Sequence, residues 1–232
     1  MHAKSQHVKA FLKEIHKVDI AIIGTGNVGS ALAGSFVRAG HNVTIAGRDA
    51  DKAKRVATAT GATAARTSRE AADAADVIVF AVPFVQSAEA VAGEISDVVD
   101  GKVVIDVTNP VKSTYDGLIS DEGLSGAERI QAWLPGARVV KAFNTLLASR
   151  MADPTVAGGA TDAFVATDDA AAGTLVLELA RSIGLHAVAV VPLAMARHLE
   201  GLAFLNITLN MANGGSWQSS WRLVGAPEPV AA

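Results

Sequence analysis

The chain has 232 residues, of which 50% are apolar and only 5% are aromatic, so alanine, valine and leucine must build the core of one large domain. Its 20 Lys and Arg against 23 Asp and Glu give a net charge of −3, without the basic surplus typical of nucleic-acid-binding proteins, and we expect no nucleic-acid partner. The absence of cysteine excludes disulfides, thiolate metal sites and cysteine nucleophiles.

Residues 1–17 form a predicted N-terminal extension that carries lysines and histidines but lacks the apolar stretch of a secretory signal. Its residues 8–15 have apolar side chains at helical spacing, which predicts a short amphipathic helix or a solvated tail. The two longest apolar runs in the chain are broken by Pro83 and Pro192, and both fall short of the roughly 18 residues of a membrane-spanning helix. We therefore expect a cytoplasmic protein without a membrane partner.

Strands and helices alternate from residue 18 to about residue 150. The predicted strands cover residues 18–23, 42–46, 77–81, 102–107 and 138–142. The predicted helices cover residues 27–39, 50–60, 67–75, 86–98 and 127–134. This alternation is typical of βαβ units, and it predicts an α/β fold with a doubly wound, mostly parallel sheet of the Rossmann type over residues 18–150.

We expect residues 144–151 to begin another helix, and we assign residues 151–232 to the C-terminal part of the chain. Asp153-Pro154 and Gly158-Gly159 predict a break, after which residues 162–167 and 186–191 are predicted strands around a helix at 170–183. A small helical extension at 194–211 closes the fold before Gly214-Gly215, and the last seven residues have the composition of a loose tail.

The helix predicted at 194–211 is apolar on more than one face. Its large apolar side chains are Leu199, Leu202, Phe204, Leu205, Ile207 and Leu209. A helix of this kind has to be buried on most sides, and one small sheet domain can cover only one of them. We therefore predict a homodimer in which this helix lies at the interface or lines an acceptor pocket.

A glycine fingerprint follows the first strand and opens the first helix. Gly24, Thr25, Gly26, Asn27, Val28 and Gly29 fit the pattern G-x-G-x-x-G. In this position the glycines permit a tight turn, a close backbone approach to a pyrophosphate and close helix–strand packing, while the helix N-terminus supplies free N–H groups. The simpler interpretation is a tight turn without a ligand. The context favours dinucleotide binding.

The end of the second strand determines which dinucleotide is preferred. An NAD site usually has Asp or Glu at this position to accept a hydrogen bond from the ribose 2′-hydroxyl. Here Gly47 is followed by Arg48, and Lys52 lies four residues further on at a helix start, so two cations are placed to bind a 2′-phosphate. We predict NADP(H). The alternative is that Asp49, about 20 residues past the fingerprint, binds the ribose.

Three further strand ends carry residues suited to a nicotinamide pocket. Val82, Pro83 and Phe84 follow the strand at 77–81, and Thr108, Asn109 and Pro110 follow the strand at 102–107. Asn144, Thr145 and Leu146 follow the strand at 138–142. Ligands of open α/β sheets bind beyond the carboxyl ends of the strands, so these three segments are expected at the same edge as the fingerprint. Each of them is also compatible with plain turn chemistry.

The chain lacks the usual hydrolytic and metal-binding patterns. Its six histidines have no metal-ligand spacing, and neither a G-x-S-x-G elbow nor a Walker A pattern occurs. His198, on the last predicted helix, is more typical of an ordinary helix histidine than of an acid–base catalyst. We predict no metal site.

The fingerprint, the Gly47-Arg48 turn, the segment 82–84 and the stretch 134–146 together resemble the coenzyme F420-dependent NADP oxidoreductase family, and the likeness extends from about residue 18 to 215. The resemblance implies that Thr25, Arg48 and Lys52 hold the NADP 2′-phosphate and that Leu146 packs behind the nicotinamide. It also implies coenzyme F420 as the second redox partner. The chain departs from the archaeal enzymes at Gly47, where they have a serine, and at Asn144, where they have a histidine.

We interpret the chain as an NADP-dependent oxidoreductase that transfers a hydride between NADP(H) and a small-molecule redox acceptor. Hydride transfer between two rings held face to face requires positioning and exclusion of water rather than an acid–base residue, and Leu146 and Asn144 are the predicted positioning residues. Two alternatives are a reductase of imines, flavins or metals and a non-catalytic NADPH-binding sensor.

Overall fold

The computed structural model describes residues 17–119, 123–156 and 159–225. Its main feature is an eight-stranded sheet in the order β10-β9-β6-β5-β4-β1-β2-β3. The strands are β1 Asp19–Ile23, β2 Asn42–Ala46, β3 Thr63–Ala64, β4 Val77–Phe80, β5 Val103–Asp106, β6 Arg138–Ala142, β7 Thr155–Val156, β8 Gly159–Ala160, β9 Asp162–Ala166 and β10 His186–Val190. The strands β7 and β8 form a separate antiparallel pair. The predicted α/β fold with a mostly parallel Rossmann-type sheet is confirmed.

Eight α-helices are described, together with short 3₁₀ turns at Ser96–Val98 and Leu193–Met195. The helices are α1 Asn27–Arg38, α2 Ala50–Thr60, α3 Ser68–Asp73, α4 Phe84–Ile95, α5 Gly126–Trp133, α6 Ala148–Ala152, α7 Ala170–Ser182 and α8 Ala196–Ala212. The predicted helix at 86–98 starts earlier, at Phe84, directly after the extended residue Pro83, and its last turn, Ser96–Val98, is a 3₁₀ helix. The helix predicted at 144–151 is shorter, since Phe143 has a left-handed φ of 61° and starts a turn.

The sheet separates two apolar layers because successive strand residues point to opposite faces. Ile20 and Ile22 of β1 pack in one layer with residues of α1 and α7, whereas Ala21 and Ile23 pack in the other layer with residues of α3, α4 and α5. The four central strands are buried along nearly their whole length, as expected of parallel strands covered on both faces. Parallel pairing from β3 to β6 brings the carboxyl ends of these strands to one edge.

The C-terminal strands reverse direction. β9 pairs with β6 in antiparallel fashion and β10 runs parallel to β9, so the carboxyl ends of β9 and β10 lie at the opposite edge. Both strands nevertheless belong to the same sheet as the N-terminal strands. The division of the chain at about residue 150 stays a prediction. The helix predicted at 8–15 and the loose tail of the last seven residues lie outside the described residues.

Candidate dinucleotide-binding cleft

A cleft of about 1060 Å³ lies at the carboxyl ends of β1, β2, β4 and β5. The sequence-predicted residues that line it are Gly24, Thr25, Gly26, Asn27, Val28, Gly47, Arg48, Lys52, Val82, Pro83, Phe84 and Asn109. The other four predicted residues, Gly29, Pro110, Asn144 and Leu146, are not among the lining residues. The fold therefore brings four of the five predicted segments to one cleft, and the fifth, residues 144–146, is hydrogen-bonded to the lining residue Asn109 from behind.

The glycine fingerprint forms the centre of the cleft. Gly24 has a φ of 129°, and a Cβ there would lie 2.0 Å from the carbonyl oxygen of Ala81, so only glycine fits between β1 and β4. A Cβ on Gly29 would lie 2.0 Å from the carbonyl oxygen of Gly24, which explains the close packing of α1 on the turn. Gly26, at the N-cap of α1, has nothing within 4 Å of its Cβ position. The turn therefore leaves open space at the helix N-terminus, where an anion is favoured.

The side of the cleft beside β2 contains the two cations that the sequence predicted, and both are exposed. Arg48 follows the end of β2, and Lys52 lies in the first turn of α2. The Asp49 carboxylate caps this helix, because the Lys52 backbone N–H donates to its Oδ1 at 2.9 Å. That hydrogen bond lowers the pKa of Asp49 and commits one of its oxygens to the helix. Asp49 lines the same cleft as Arg48 and Lys52, so the choice of the two cations as phosphate-binding residues stays a prediction.

Gly47 is in close contact with Thr25. A Cβ on Gly47 would lie 2.9 Å from the Thr25 methyl carbon and 3.2 Å from its hydroxyl oxygen. The space that a side chain at position 47 would need is therefore filled by Thr25, and the two positions are coupled. A hydroxyl beside the β2 end is thus supplied by the fingerprint rather than by position 47.

The residues after β4 form the wall of the cleft opposite the fingerprint. Val82 is half-buried and Pro83 is exposed, whereas the Phe84 ring is 6% exposed and stacks on Trp133 with ring centroids 5.8 Å apart. The guanidinium of Arg129 lies 5.1 Å from the Phe84 ring centroid. The same guanidinium lies 5.3 Å from the Trp133 ring centroid, so the three groups form one cluster that ties Phe84 to α5.

The ends of β5 and β6 are tied together by two asparagines. The Asn109 side-chain amide donates to the Asn144 backbone carbonyl at 3.0 Å, and the Asn144 amide donates to the Asn109 Oδ1 at 3.0 Å. Among the described residues, the buried Asn144 Oδ1 and Thr145 Oγ1 have no hydrogen-bond partner. Leu146 is 4% exposed and belongs to the core layer under α1, so the structure places it behind these polar groups.

Sequence reasoning missed part of the cleft wall. The cleft is also lined by residues that follow the short strand β3, namely Arg66, Thr67, Ser68 and Arg69, so two further exposed cations lie beside Arg48 and Lys52. β3 has only two residues, so no apolar periodicity predicts it. Ser87, in the first turn of α4, is 8% exposed and its hydroxyl has no partner among the described residues. The sequence could have indicated Ser87 only through its position one helical turn after the segment Val82-Pro83-Phe84.

The part of the chain that the structure describes contains neither a metal-binding cluster nor a membrane-spanning helix. Within the ranges 17–119, 123–156 and 159–225, no group of three or more His, Asp or Glu could hold a metal ion. No helix in the same ranges is long and apolar enough to span a membrane. His198 lies exposed on α8 and is not among the residues that line the cleft.

Comparison with known proteins gives consistent matches. Residues 19–110 match the family model described as NADP oxidoreductase, coenzyme F420-dependent. The F420-dependent NADP reductase of Methanothermobacter thermautotrophicus is 37% identical over 211 residues, which cover 84% of this chain and 90% of that protein. The F420-dependent NADP reductase of Methanothermobacter marburgensis is 36% identical over 217 residues, which cover 84% of this chain and 93% of that protein.

A crystal structure from Arthrobacter sp. FB24, described as an F420-dependent NADP-reductase, has the same fold. It superposes with a TM-score of 0.80 at 30% sequence identity, and the match covers 89% of this chain and 99% of that one. The likeness therefore includes the C-terminal strands and α8 as well as the glycine fingerprint.

Proposed function

The chain belongs to the family of F420-dependent NADP oxidoreductases, and we propose that it transfers a hydride between NADP(H) and coenzyme F420. The observation that carries this proposal is the glycine-lined cleft at the carboxyl edge of the sheet, with Arg48 and Lys52 at one end and the Asn109–Asn144 pair at the other. Its volume and position suit a dinucleotide lying across the strand ends.

The residues present fit NADP(H). The open space at Gly26 admits the pyrophosphate, which the free N–H groups of α1 would bind. Arg48, Lys52 and the Thr25 hydroxyl would hold the 2′-phosphate, and Asn27 and Val28 would contact the pyrophosphate and ribose. Val82, Pro83, Phe84 and Asn109 would enclose the nicotinamide ribose, with Pro110, Asn144 and Leu146 supporting them from behind.

The chemistry is supplied by the nicotinamide, which carries the hydride at its C4 atom when the cofactor is bound. The segments 81–84 and 107–109, which line the cleft directly after β4 and β5, have apolar, hydroxyl or amide side chains, whereas the carboxylate of Glu94 lies three turns along α4. Such a wall orients the rings and excludes water without exchanging protons. Positioning is therefore the catalytic contribution of these residues.

The redox acceptor is proposed to bind against α8, in the C-terminal part of the chain. This helix buries the polar side chains of Glu200, Asn206 and Asn210 and leaves Leu205 and Leu209 about half exposed, at 47% and 48%. Burial of polar groups combined with exposure of apolar ones is expected where a second protein surface covers the helix. We propose that this surface is a second copy of the chain, in a cytoplasmic homodimer.

The proposed reaction is tested by mixing purified protein with NADPH and F420 and following the absorbance of both. We expect F420 to be consumed together with NADPH, and NADH to be a much poorer hydride donor. Parallel assays contain a flavin, a ferric chelate or a cyclic imine in place of F420.

Each result has a defined meaning. NADPH consumption with one of the other acceptors but not with F420 would identify a different reductase. Tight NADPH binding without turnover of any acceptor would instead support a sensor.

A further inference from the structure

A buried ionic cluster lies beneath the nicotinamide end of the cleft. The Lys141 ammonium donates to Asp106 Oδ2 at 2.8 Å, to Glu200 Oε1 at 2.8 Å and to the Thr108 carbonyl oxygen at 2.6 Å. The side chains of Lys141 and Asp106 are fully buried, and that of Glu200 is 3% exposed. All three donors of the ammonium are therefore used.

The cluster connects four separate elements. Asp106 ends β5, Lys141 lies in β6, and Glu200 lies on α8. The other oxygen of Glu200 accepts from the backbone N–H of Gly126, at the first position of α5, at 3.1 Å. A single set of charge-assisted bonds thus fixes α8 and α5 relative to the ends of the two strands.

The same cluster holds the segment that enters the cleft. Asp106 Oδ1 accepts from the backbone N–H of Thr108 at 2.8 Å and from its hydroxyl at 2.7 Å. Thr108 and Asn109 both line the cleft, and Asn109 is paired with Asn144. A displacement of Lys141 or Glu200 would therefore reach the nicotinamide wall through only one or two hydrogen bonds.

Stability does not account for this arrangement. Removing charges from water costs several kcal/mol per ion, and well-packed apolar side chains of similar volume often stabilise a fold equally well or better. What three mutually bonded charges provide is one permitted geometry, because any shift leaves a buried ion unpaired. Burial tends to lower the pKa of Lys141, but the two carboxylates more than offset this and raise it, which keeps the ammonium charged.

We propose that Glu200, Lys141 and Asp106 form a positioning unit that sets the distance between the nicotinamide wall at Thr108–Asn109 and the acceptor side of the site on α8. None of the three touches either ring, and they act through the backbone of Thr108 and through the placement of α8. The inference rests on the proposed function, since hydride transfer is the step most sensitive to this distance.

Glu200→Gln is the first test, because it preserves side-chain size and removes the charge. A displacement of reacting groups by about 1 Å can slow a reaction about a hundredfold, so we expect the single-turnover hydride-transfer rate to fall about ten- to a hundredfold. The Kd for NADPH should stay within about threefold, because the contacts to the phosphates are untouched. The fluorescence lifetime of bound NADPH, which depends on the nicotinamide surroundings and needs no acceptor, should change.

Arg197→Met is the matched control. Arg197 on α8 donates to Glu128 on α5 at 3.0 Å, so it also ties α8 to α5, but it is 44% exposed and bonds neither β5 nor β6. This control should keep wild-type hydride transfer and wild-type NADPH fluorescence. If Glu200→Gln alone does not fold, a second variant is used that combines Asp106→Asn, Lys141→Met and Glu200→Gln. It removes all three charges and therefore leaves no unpaired buried ion.

Slow transfer with altered NADPH fluorescence in either cluster variant, and neither effect in Arg197→Met, would support the positioning unit. Wild-type rates and wild-type NADPH fluorescence in a folded cluster variant would overturn it, as would an equal loss in Arg197→Met. Failure of the wild-type protein to reduce F420 would refute the proposed function only, because the NADPH fluorescence lifetime still tests whether the cluster positions the nicotinamide wall.

Discussion

Removing the two cations beside the β2 end should abolish the preference for NADP over NAD. Arg48→Ala and Lys52→Ala each delete one side chain that faces the adenosine end of the cleft. Only NADP carries the 2′-phosphate that these cations are proposed to bind. The affinity for NAD should therefore stay within about threefold in both variants, because its other contacts are unchanged.

The expected magnitude follows from the exposure of these side chains. A hydrogen bond to a charged group contributes about 1.5–3 kcal/mol, and 1.4 kcal/mol corresponds to a factor of ten. Arg48 and Lys52 are both exposed, so solvent screening places each contact near the lower end of this range. We expect each single variant to weaken NADPH binding about tenfold, and the loss to shrink as salt concentration rises.

Isothermal titration of both dinucleotides measures this directly. Lys54→Ala is the matched control, since Lys54 lies on the same helix, is exposed, pairs with Asp51 at 3.4 Å and does not line the cleft. It should bind NADPH as tightly as the wild type. The reasoning would be refuted by equal wild-type affinities for NAD and NADP, or by an equal loss of NADPH affinity in Lys54→Ala. Asp49 would then be the residue expected to bind the ribose.

Reversing the preference requires more than a carboxylate at position 47. Gly47→Asp with Arg48→Ala introduces an acceptor for the NAD ribose, but the new Cβ would lie 2.9 Å from the Thr25 methyl carbon. Adding Thr25→Ser removes that methyl group. The triple variant should therefore prefer NAD, while the double variant should bind both dinucleotides poorly. A double variant that already binds NAD tightly would show that the Thr25 contact relaxes without cost.

Three further predictions concern stability, geometry and assembly. Burial lowers the pKa of His41, so the contribution of the neutral imidazole to stability is complete above the ordinary value of 6.5 and is lost as the pH falls through the folded-state pKa. In urea unfolding, the free energy of unfolding should therefore fall less between about pH 7.5 and about pH 5 in His41→Gln than in the wild type. Leu146→Ala should lower the free energy of unfolding by about 2–5 kcal/mol, because Leu146 is buried. An unchanged single-turnover rate of hydride transfer in this variant would show that Leu146 is a core residue only. Leu205→Lys with Leu209→Lys should shift the protein from dimer to monomer in light scattering, and a wild-type monomer would contradict the proposed assembly.

The sequence alone was sufficient for the features that depend on neighbours along the chain. The apolar strands, the glycine turn after β1 and most helices follow from local periodicity and turn chemistry, which act within a few residues, although the starts of α4 and α6 were misplaced. The fingerprint predicted both the backbone shape of the turn and its place at the carboxyl edge of the sheet. Gly47 and Arg48 were predicted at the end of the second strand, and β2 indeed ends at Ala46.

Only the tertiary structure decided which distant side chains meet. Asp106, Lys141 and Glu200 lie in three separate apolar segments of the sequence. A charged residue within an apolar segment can indicate a buried ion pair, and this signal was not used in the sequence-based prediction. Nothing local indicates that they share one buried cluster, because the register of β5 against β6 and the path of α8 bring them together. Such contacts depend on how strands pair and how helices pack, and these are properties of the whole folded chain rather than of any one segment.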